Sequence, residues 1–240
     1  MKIHVYIIAW NEEKILPFTL DHYSQFAEKI FVFDNMSTDS SDNIYEKYPK
    51  VEVKKWQTPE KKYNDVFLAD LKSNIYKKSR KDNVDWVIVC DCDEFLYHEN
   101  LLEKLEEYKK NGITMPKIDG HDMCSEFFPN YDGELITNKI KTGSNTYEPM
   151  CKNIIFNPNL EVKYMPGAHN NLTQNAVFSE NAELKLLHYK FLGREYTSKR
   201  YQNLSEQLSD FNLRTGFSSH WTKSPIEYMD GILSENFKVI

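Results

Sequence analysis

The fold is decided by the segment Trp86-Val87-Ile88-Val89-Cys90-Asp91-Cys92-Asp93-Glu94-Phe95-Leu96, an uncharged apolar run that ends in three carboxylates. Residues 86–90 are β-branched, aromatic or small, which predicts a strand buried on both faces of a parallel sheet. In open α/β sheets, ligands bind beyond the carboxyl ends of the strands. We therefore expect the acids Asp91, Asp93 and Glu94 to lie where a ligand binds.

The two aspartates of this segment predict a metal site. Side chains alternate along a strand, so Asp91 and Asp93 share one face while Cys92 points away. Two carboxylates on one face repel each other unless a cation lies between them, and their hard oxygen ligands suit Mg²⁺ or Mn²⁺. Such ions usually complete their shell with water and substrate phosphates. The pair predicts a diphosphate-bearing substrate held through a metal, with a solvated acidic strand end as the alternative.

Composition limits the class of protein. The 240 residues suffice for one large α/β domain, or for one domain with an appendage. A net charge of −6 argues against general nucleic-acid binding. The four cysteines form no C-x-x-C pair, which favours free thiols in a reducing cytoplasm. We find no run of about 18 apolar residues, so no membrane-spanning helix is expected, and peripheral contact with the inner face of a membrane stays open.

The first hundred residues alternate between strand and helix patterns. Apolar runs at 3–9, 29–33 and 86–90 predict buried strands, and the alternating segment 51–56 predicts a more exposed one. Helical spacing and capping residues predict a helix in each intervening segment. The order β-α-β-α-β-α-β predicts a parallel sheet with right-handed crossovers.

Polar residues also follow the first two strands. Glu12 stands at a helix start, where an acid would repel a phosphate, so this turn predicts hydrogen bonds to a base or ribose instead. Asp34 ends the second strand, the position at which doubly wound folds bind nucleoside hydroxyls. The alternative for Asp34 is a capped turn with a solvated carboxylate.

The second half of the chain predicts a more mixed structure. Its pattern indicates a helix at 101–110, a strand at 113–118, an irregular segment at 119–143, short antiparallel strands at 150–156 and 160–164 around the turn 157–159, a strand at 184–191, a polar helix at 194–213 and a helical tail at 215–240. We expect a catalytic domain at 1–192, with halves 1–100 and 101–192, and a helical C-terminal extension at 193–240 packed on it.

Three motifs carry a family resemblance. Together, Ile7-Ile8-Ala9-Trp10-Asn11-Glu12-Glu13, Phe33-Asp34-Asn35-Met36-Ser37-Thr38-Asp39 and Asp91-Cys92-Asp93-Glu94-Phe95 resemble the nucleotide-sugar-binding half of family-2-like glycosyltransferases with the GT-A fold. The Asp-x-Asp-Glu-Phe form is similar to one subgroup of these enzymes. The likeness covers about residues 1–100. It implies an α/β fold with a mostly parallel central sheet flanked by helices, a small antiparallel part and a helical C-terminal tail.

The resemblance also implies roles for individual residues. The nucleoside would contact Ala9, Trp10, Asn11, Glu12, Asp34, Asn35 and Asp91. A Mn²⁺ or Mg²⁺ ion bridging the diphosphate would be held by Asp93, by Asp91 and by a histidine from the C-terminal half, either His188 or its rival His169. A lone histidine in an apolar strand is otherwise a satisfied core residue.

An inverting transferase needs a general base that deprotonates the acceptor hydroxyl. Asp122 and Glu126 fall in the segment where the family usually keeps that base, although the usual Glu-Asp pair is absent. The resemblance implies sugar transfer from a UDP- or GDP-sugar to a glycan or lipid-linked acceptor, in surface polysaccharide or glycoconjugate assembly. Two alternatives stay open: a metal-dependent phosphohydrolase or nucleotidyltransferase, and a non-catalytic nucleotide-sugar-binding module.

Overall fold

The computed structural model describes residues 1–240 as helices flanking mixed β-sheets. The strands are β1 (Ile3–Ala9), β2 (Lys29–Asp34), β3 (Val51–Lys55), β4 (Trp86–Asp91), β5 (Glu94–Tyr97), β6 (Ile118–Ser125), β7 (Thr142–Gly143), β8 (Ile155–Phe156), β9 (Val162–Tyr164), β10 (Asn171–Thr173), β11 (Leu184–Leu192) and β12 (Phe237–Lys238).

The helices are short and lie between or after these strands. The α-helices are α1 (Leu16–Ser24), α2 (Ser41–Tyr45), α3 (Asp65–Ile75), α4 (Leu101–Lys110), α5 (Ile136–Lys139), α6 (Arg194–Glu206), α7 (Asp210–Thr215) and α8 (Ile226–Glu235). Three 3₁₀-helices span Tyr76–Asp82, Glu148–Met150 and Ser219–Thr222. None of these helices combines the length and the apolar character that a membrane crossing requires.

The main sheet has the order β3-β2-β1-β4-β8, and its first four strands run parallel. The strands β1 and β4 are buried on both faces because helices cover the sheet, as the apolar run at 86–90 predicts. Ala9, at the end of β1, pairs with Asp34 of β2, while its neighbour Ile8 pairs with Asp91 of β4. The predicted α/β class with a mostly parallel sheet is confirmed, and the acidic strand ends meet at one edge.

A second sheet, β12-β7-β6-β11-β5, brings the C-terminal half to the same edge. Strand β11 runs parallel to β6 and antiparallel to β5. In this register His188 lies opposite Asp122 on one side and opposite Glu94 on the other. Pairing between distant segments therefore places the histidine beside the acids.

The predicted boundaries of β6 are wrong. The strand expected at 113–118 begins at Ile118 and runs to Ser125, so the first part of the segment expected to be irregular is extended and buried. Its polar side chains find partners on other elements: His121 Nδ1 lies 3.0 Å from the Ser144 carbonyl oxygen. Such partners offset the cost of burying polar groups, and local sequence does not show them.

The predicted hairpin around residues 157–159 is also wrong. Strand β8 pairs with β4, and β9 pairs with β10, because the otherwise open edge of β4 takes β8 as its partner. The predicted helix at 194–213 is two helices, since Ser209 caps α7 by accepting a hydrogen bond from the Asn212 N–H at 3.2 Å. The tail is helical in α8 but ends in β12, which pairs with β7.

Close packing on β6 gives a first prediction. A Cβ atom added at Gly120 would lie 2.1 Å from the backbone oxygen of Met150, whereas one added at Gly231 in α8 would meet open space. We expect Gly120→Ala to destabilise the protein by about 1–3 kcal/mol because backbone must shift. We expect the control Gly231→Ala to stabilise it by about 0.5–1 kcal/mol through helix propensity. Urea unfolding measures the stability of both variants. Equal midpoints for Gly120→Ala and the wild type would contradict the close approach of Gly120 to the Met150 backbone.

Candidate active site

A cavity of about 870 Å³ opens at the carboxyl ends of β1 and β4. It is walled on the far side by β11, α6 and the C-terminal segment. Most of the residues predicted from sequence line it, namely Ala9, Trp10, Asn11, Glu12, Asn35, Asp91, Asp93, Asp122, His169 and His188. The structure thus brings together residues that are up to 179 positions apart in the chain, from Ala9 to His188.

Asp34 and Glu126 do not line the cavity. Asp34 is fully buried, and its carboxylate accepts hydrogen bonds from the Ser37 N–H at 2.7 Å and the Tyr45 hydroxyl at 2.9 Å, and pairs with Lys55 at 3.1 Å. It therefore holds the loop after β2 instead of facing a ligand. Glu126 is exposed, because β6 ends one residue before it and the chain turns away.

The loops after β1 and β2 are tied together across the cavity floor. The Asn11 N–H donates to Ser37 Oγ at 2.9 Å, and the Thr38 N–H donates to Asn11 Oδ1 at 2.7 Å. Asn11 has a φ of 52°, in the left-handed region that asparagine tolerates better than most residues. These bonds hold Asn11, Asn35 and Thr38 against the cavity in one arrangement.

Asp91, the last residue of β4, and Asp93 in the following turn each contact a cation of the protein. Lys72 Nζ lies 2.7 Å from Asp91 Oδ1. Arg200 of α6 bridges two acids, with Nη1 3.0 Å from Asp93 Oδ2 and Nη2 2.6 Å from Glu12 Oε1. Asp93 Oδ1 makes no hydrogen bond or ion pair within the protein. Cys92 lies in the core on the other side, as strand alternation predicts.

His188 links two carboxylates. Its Nδ1 donates to Asp122 Oδ1 at 2.7 Å, and its Nε2 lies 3.2 Å from Asp93 Oδ2. Burial alone would lower the pKa of His188, but Asp93 and Asp122 raise it to about 9. Burial opposes ionisation of Asp93, yet Arg200 and His188 hold its pKa well below the ordinary value. Without a bound metal, the linked groups are therefore charged at neutral pH, and a metal ion at His188 Nε2 would take the place of the proton there.

A second buried ion pair stabilises the turn between β4 and β5. Glu94 Oε1 lies 2.5 Å from Lys152 Nζ, and Glu94 Oε2 accepts from the Asp91 N–H at 2.9 Å. Both side chains are almost fully buried. Burial raises the pKa of Glu94, but Lys152 and Lys72 outweigh it and lower that pKa to about 2. The pair fixes the backbone on which Asp91 and Asp93 stand.

The cations and the aromatic wall of the cavity were not predicted from sequence as site residues. The missed residues are Lys72, Lys152, Lys190, Arg200, Tyr147, Tyr201, Trp221 and Tyr228. One signal was present: Lys72 follows Leu68 by four positions, which places it on the same helix face. Arg200 stands in a polar helix whose pattern gives no indication of an inward-facing charge.

The donor chemistry fits a divalent metal, although no group of three or more histidine, cysteine or acidic side chains is preassembled as a metal site. Asp93 Oδ1 is free, and His188 Nε2 lies beside the same carboxylate. Asp122 holds the other ring nitrogen of His188, the arrangement that orients metal-binding histidines in proteins. His169 also lines the cavity, and its Nδ1 contacts the Pro149 carbonyl oxygen at 2.6 Å, which would orient its ring in the same way. His188, unlike His169, lies beside Asp93, so Asp93 and His188 are the better-placed pair of ligands.

The chain is similar to several solved structures at low sequence identity. S. aureus TarS is 16% identical, with 86% of this chain and 39% of that chain covered and a TM-score of 0.43. The TarS 1–349 complex with UDP is 15% identical, with 94% and 73% covered and a TM-score of 0.44. Glucosyl-3-phosphoglycerate synthase from Mycobacterium tuberculosis, solved with Mn²⁺, UDP and glucosyl-3-phosphoglycerate, is 20% identical, with 50% and 44% covered and a TM-score of 0.35. The chain thus spans about two fifths of the length of TarS.

Family membership rests on the sequence. None of the curated proteins compared with the chain matches it. The family model described as "Glycosyl transferase family 2" matches residues 4–183, which extends well beyond the 100 residues that carried the resemblance. The match includes the turn after β4 and Asp122, and it covers more than half of the chain. The chain therefore belongs to glycosyl transferase family 2.

Proposed function

We propose that the protein is a metal-dependent glycosyltransferase that moves a sugar from a UDP- or GDP-sugar to a glycan or lipid-linked acceptor. The observation that carries this proposal is a group of three linked side chains in the cavity of a family-2 protein: Asp93 contacts His188, and His188 contacts Asp122. It supplies a free carboxylate oxygen, an oriented imidazole and a buried acid in one place. Membership of the family supplies the reaction class.

The donor nucleoside would lie on the loops after β1 and β2. Asn11, Asn35 and Thr38 line the cavity there, and the cross-loop hydrogen bonds hold these loops in position for a base or ribose. Asp91 has a half-exposed side chain that faces the same space. Asp34 supports this loop from below, so its effect on binding would be indirect.

The diphosphate would lie between these loops and β11, held through Mn²⁺ or Mg²⁺ by Asp93 and His188. A bound divalent cation supplies positive charge that stabilises the leaving diphosphate. Asp122 keeps His188 in one ring orientation. Arg200 holds Asp93 and Glu12 in place, and Lys72 holds Asp91. These contacts fix the acids before substrate binds, which lowers the cost of ordering them later.

Asp122 is our candidate for the general base in an inverting transfer. Its Oδ2 accepts a hydrogen bond from the Tyr228 hydroxyl at 3.1 Å, and the Tyr228 side chain is exposed enough to be displaced. An acceptor hydroxyl that replaces it would donate to the same oxygen. Burial raises the pKa of Asp122, but hydrogen bonding to His188 lowers it below the ordinary value, so the group is ionised at neutral pH.

We expect Asp122→Asn to reduce sugar transfer by at least about 100-fold, because asparagine cannot take the proton. The affinity for the nucleotide diphosphate should change little, since the amide oxygen still accepts from His188. The matched control is Glu126→Gln, outside the cavity, which should transfer normally. Measured rates and affinities that fall together in Asp122→Asn would show that this residue serves binding and is not the base.

The segment 193–240 completes the site. Arg200, Tyr201, Trp221 and Tyr228 all belong to it and all line the cavity. We propose that residues 1–192 form the catalytic domain, with a donor half at 1–100 and an acceptor half at 101–192, and that 193–240 is an extension that closes the acceptor side. Aromatic rings in this wall would stack on sugar rings. Action in the cytoplasm, at the inner face of the membrane, belongs to the same proposal.

The test is to incubate the protein with UDP- and GDP-sugars in Mn²⁺ and in EDTA, and to measure release of the nucleotide diphosphate. The proposal expects metal-dependent release from one donor, through transfer or slow hydrolysis. Release of inorganic phosphate from simple esters would instead indicate a phosphohydrolase. Binding of a nucleotide sugar with no release under any condition would indicate a non-catalytic binding module.

A further inference from the structure

One partly buried cation of the cavity has no acidic partner. Lys72 pairs with Asp91, Lys152 pairs with Glu94, and Arg200 pairs with Asp93 and Glu12. Lys190 also lines the cavity, yet its ammonium forms no hydrogen bond or ion pair with any residue of the chain. Lys72, Lys152 and Arg200 are thus occupied by fixed acids. Lys61 and Lys223 also line the cavity without a partner, but both are exposed to solvent, so Lys190 is the one partly buried cation that keeps its hydrogen-bond donors free.

The surroundings of Lys190 leave it no acid to bind. Its Nζ lies 4.5 Å from the ring centroid of Trp221 and 5.3 Å from that of Tyr201. The aromatic faces stabilise a cation but accept no full hydrogen bond. Of the acids that attract it, Asp93 is held by Arg200 and His188, and Asp122 by His188 and Tyr228.

Lys190 stands two positions after His188 on β11, and both residues line the cavity, although a bulge shifts the register of β11 between His188 and Phe191. The free ammonium is near the group that would bind the metal and the diphosphate, since Asp122 and Asp93, the two acids that contact His188, also attract it. A partly desolvated ammonium with unfilled donors favours an anion, and lysine commonly binds phosphate as a point charge. The aromatic rings beside it would pack against the organic part of the same ligand.

We propose that Lys190 is the phosphate-binding residue of this wall of the cavity. The identity of the phosphate rests on the proposed function. Two phosphate groups fit this position: the diphosphate of the donor, or a phosphate group carried by the acceptor. In both cases the ammonium of Lys190 donates to a phosphate oxygen beside the Trp221 and Tyr201 rings. The protein supplies the cation in advance, and the ligand supplies its counter-charge.

The test compares Lys190→Met, which keeps the length of the side chain, with Lys190→Arg, which keeps its charge. The matched control is Lys199→Met, which removes the same charge from an exposed position of α6. Calorimetry measures binding of UDP with Mn²⁺, of uridine, and of inorganic phosphate with and without saturating UDP. We expect Lys190→Met to weaken binding of one phosphate ligand by about 10- to 100-fold, the usual worth of a charged hydrogen bond, while Lys190→Arg restores much of it.

The probes separate the two sources. Weaker UDP binding with unchanged uridine binding assigns Lys190 to the donor diphosphate. Unchanged UDP binding, with weaker inorganic phosphate binding in saturating UDP, assigns it to the acceptor. If Lys190→Met binds UDP and phosphate as the wild type and Lys199→Met do, the inference is overturned while the proposed function stands. If the wild type binds phosphate through Lys190 but binds no nucleotide, the proposed function fails and the inference stands.

Discussion

Replacing Asp93 by asparagine is expected to lower turnover of the nucleotide sugar by about 100- to 1,000-fold, the usual cost of removing one preorganised charge-stabilising group. The substitution removes the carboxylate whose Oδ1 is free in the cavity and leaves an amide of nearly the same size. Arg200 keeps its contact with Glu12 at 2.6 Å, and His188 keeps its contact with Asp122 at 2.7 Å. The loss should therefore reflect the metal and the diphosphate more than the fold.

The matched control is Asp119→Asn, which removes the same charge from β6 outside the cavity. Steady-state release of the nucleotide diphosphate in Mn²⁺ measures both variants, with circular dichroism to show that each is folded. Asp119→Asn should retain wild-type turnover within about twofold, since surface changes away from a site have small effects. A folded Asp93→Asn with normal turnover would remove Asp93 from the mechanism.

Breaking the buried pair of Glu94 and Lys152 is expected to destabilise the protein by about 3–5 kcal/mol, because the remaining charge is left without a partner in the interior. The change is either Glu94→Gln or Lys152→Met. Glu94 also accepts from the Asp91 N–H, so its loss loosens the turn that presents Asp91 and Asp93. Denaturant unfolding of both single variants and the double variant measures the coupling.

The double variant is the internal control. Removing both charges leaves no unpaired ion, so the double variant should be more stable than the sum of the single effects predicts. Additive effects of the two substitutions would show that the pair is not coupled. A lysine-to-methionine change at exposed Lys199 should leave stability almost unchanged.

The same pair gives a pH dependence with a defined sign. Lys152 and Lys72 lower the pKa of Glu94 to about 2 in the folded protein, against the upward effect of burial, whereas the unfolded chain has the ordinary value of 4.5. The unfolded state therefore binds more protons between these two values. The contribution of Glu94 to stability is complete above about pH 4.5 and is lost as pH falls towards about 2. Glu94→Gln should flatten this part of the stability curve.

The fold follows from sequence where apolar periodicity is strong. The run 86–90 and the alternation of strands and helices before it are enough to predict the parallel sheet and the edge at which its acids meet. Prediction failed where pairing partners decide the structure. Gly120, His121 and Asp122 have the composition of a loop, but pairing with β11 and contacts from Ser144 and His188 make them part of a strand.

The residues of the candidate site also include some that sequence can place and others that it cannot. Asp91, Asp93 and the segment 9–12 can be placed from sequence, because each lies at the carboxyl end of a recognisable strand. His188 was located through family resemblance, and its contact with Asp122 depends on the register of β6 and β11. Lys190 and Arg200 were missed, since a charged residue in a strand or on a polar helix shows no sign of facing a cavity until the chain has folded. Lys72 was missed although its spacing from Leu68 places it on the apolar face of its helix.

Calorimetry of UDP and GDP binding shows whether Asp93 holds a diphosphate through a divalent metal. The titrations are made in Mn²⁺ and in EDTA, on the wild type and on Asp93→Asn. We expect one of the two nucleotides to bind the wild type in Mn²⁺ only, and Asp93→Asn to bind it in neither condition. Equal binding in Mn²⁺ and EDTA, or binding that survives the loss of the Asp93 carboxylate, would contradict this role of Asp93.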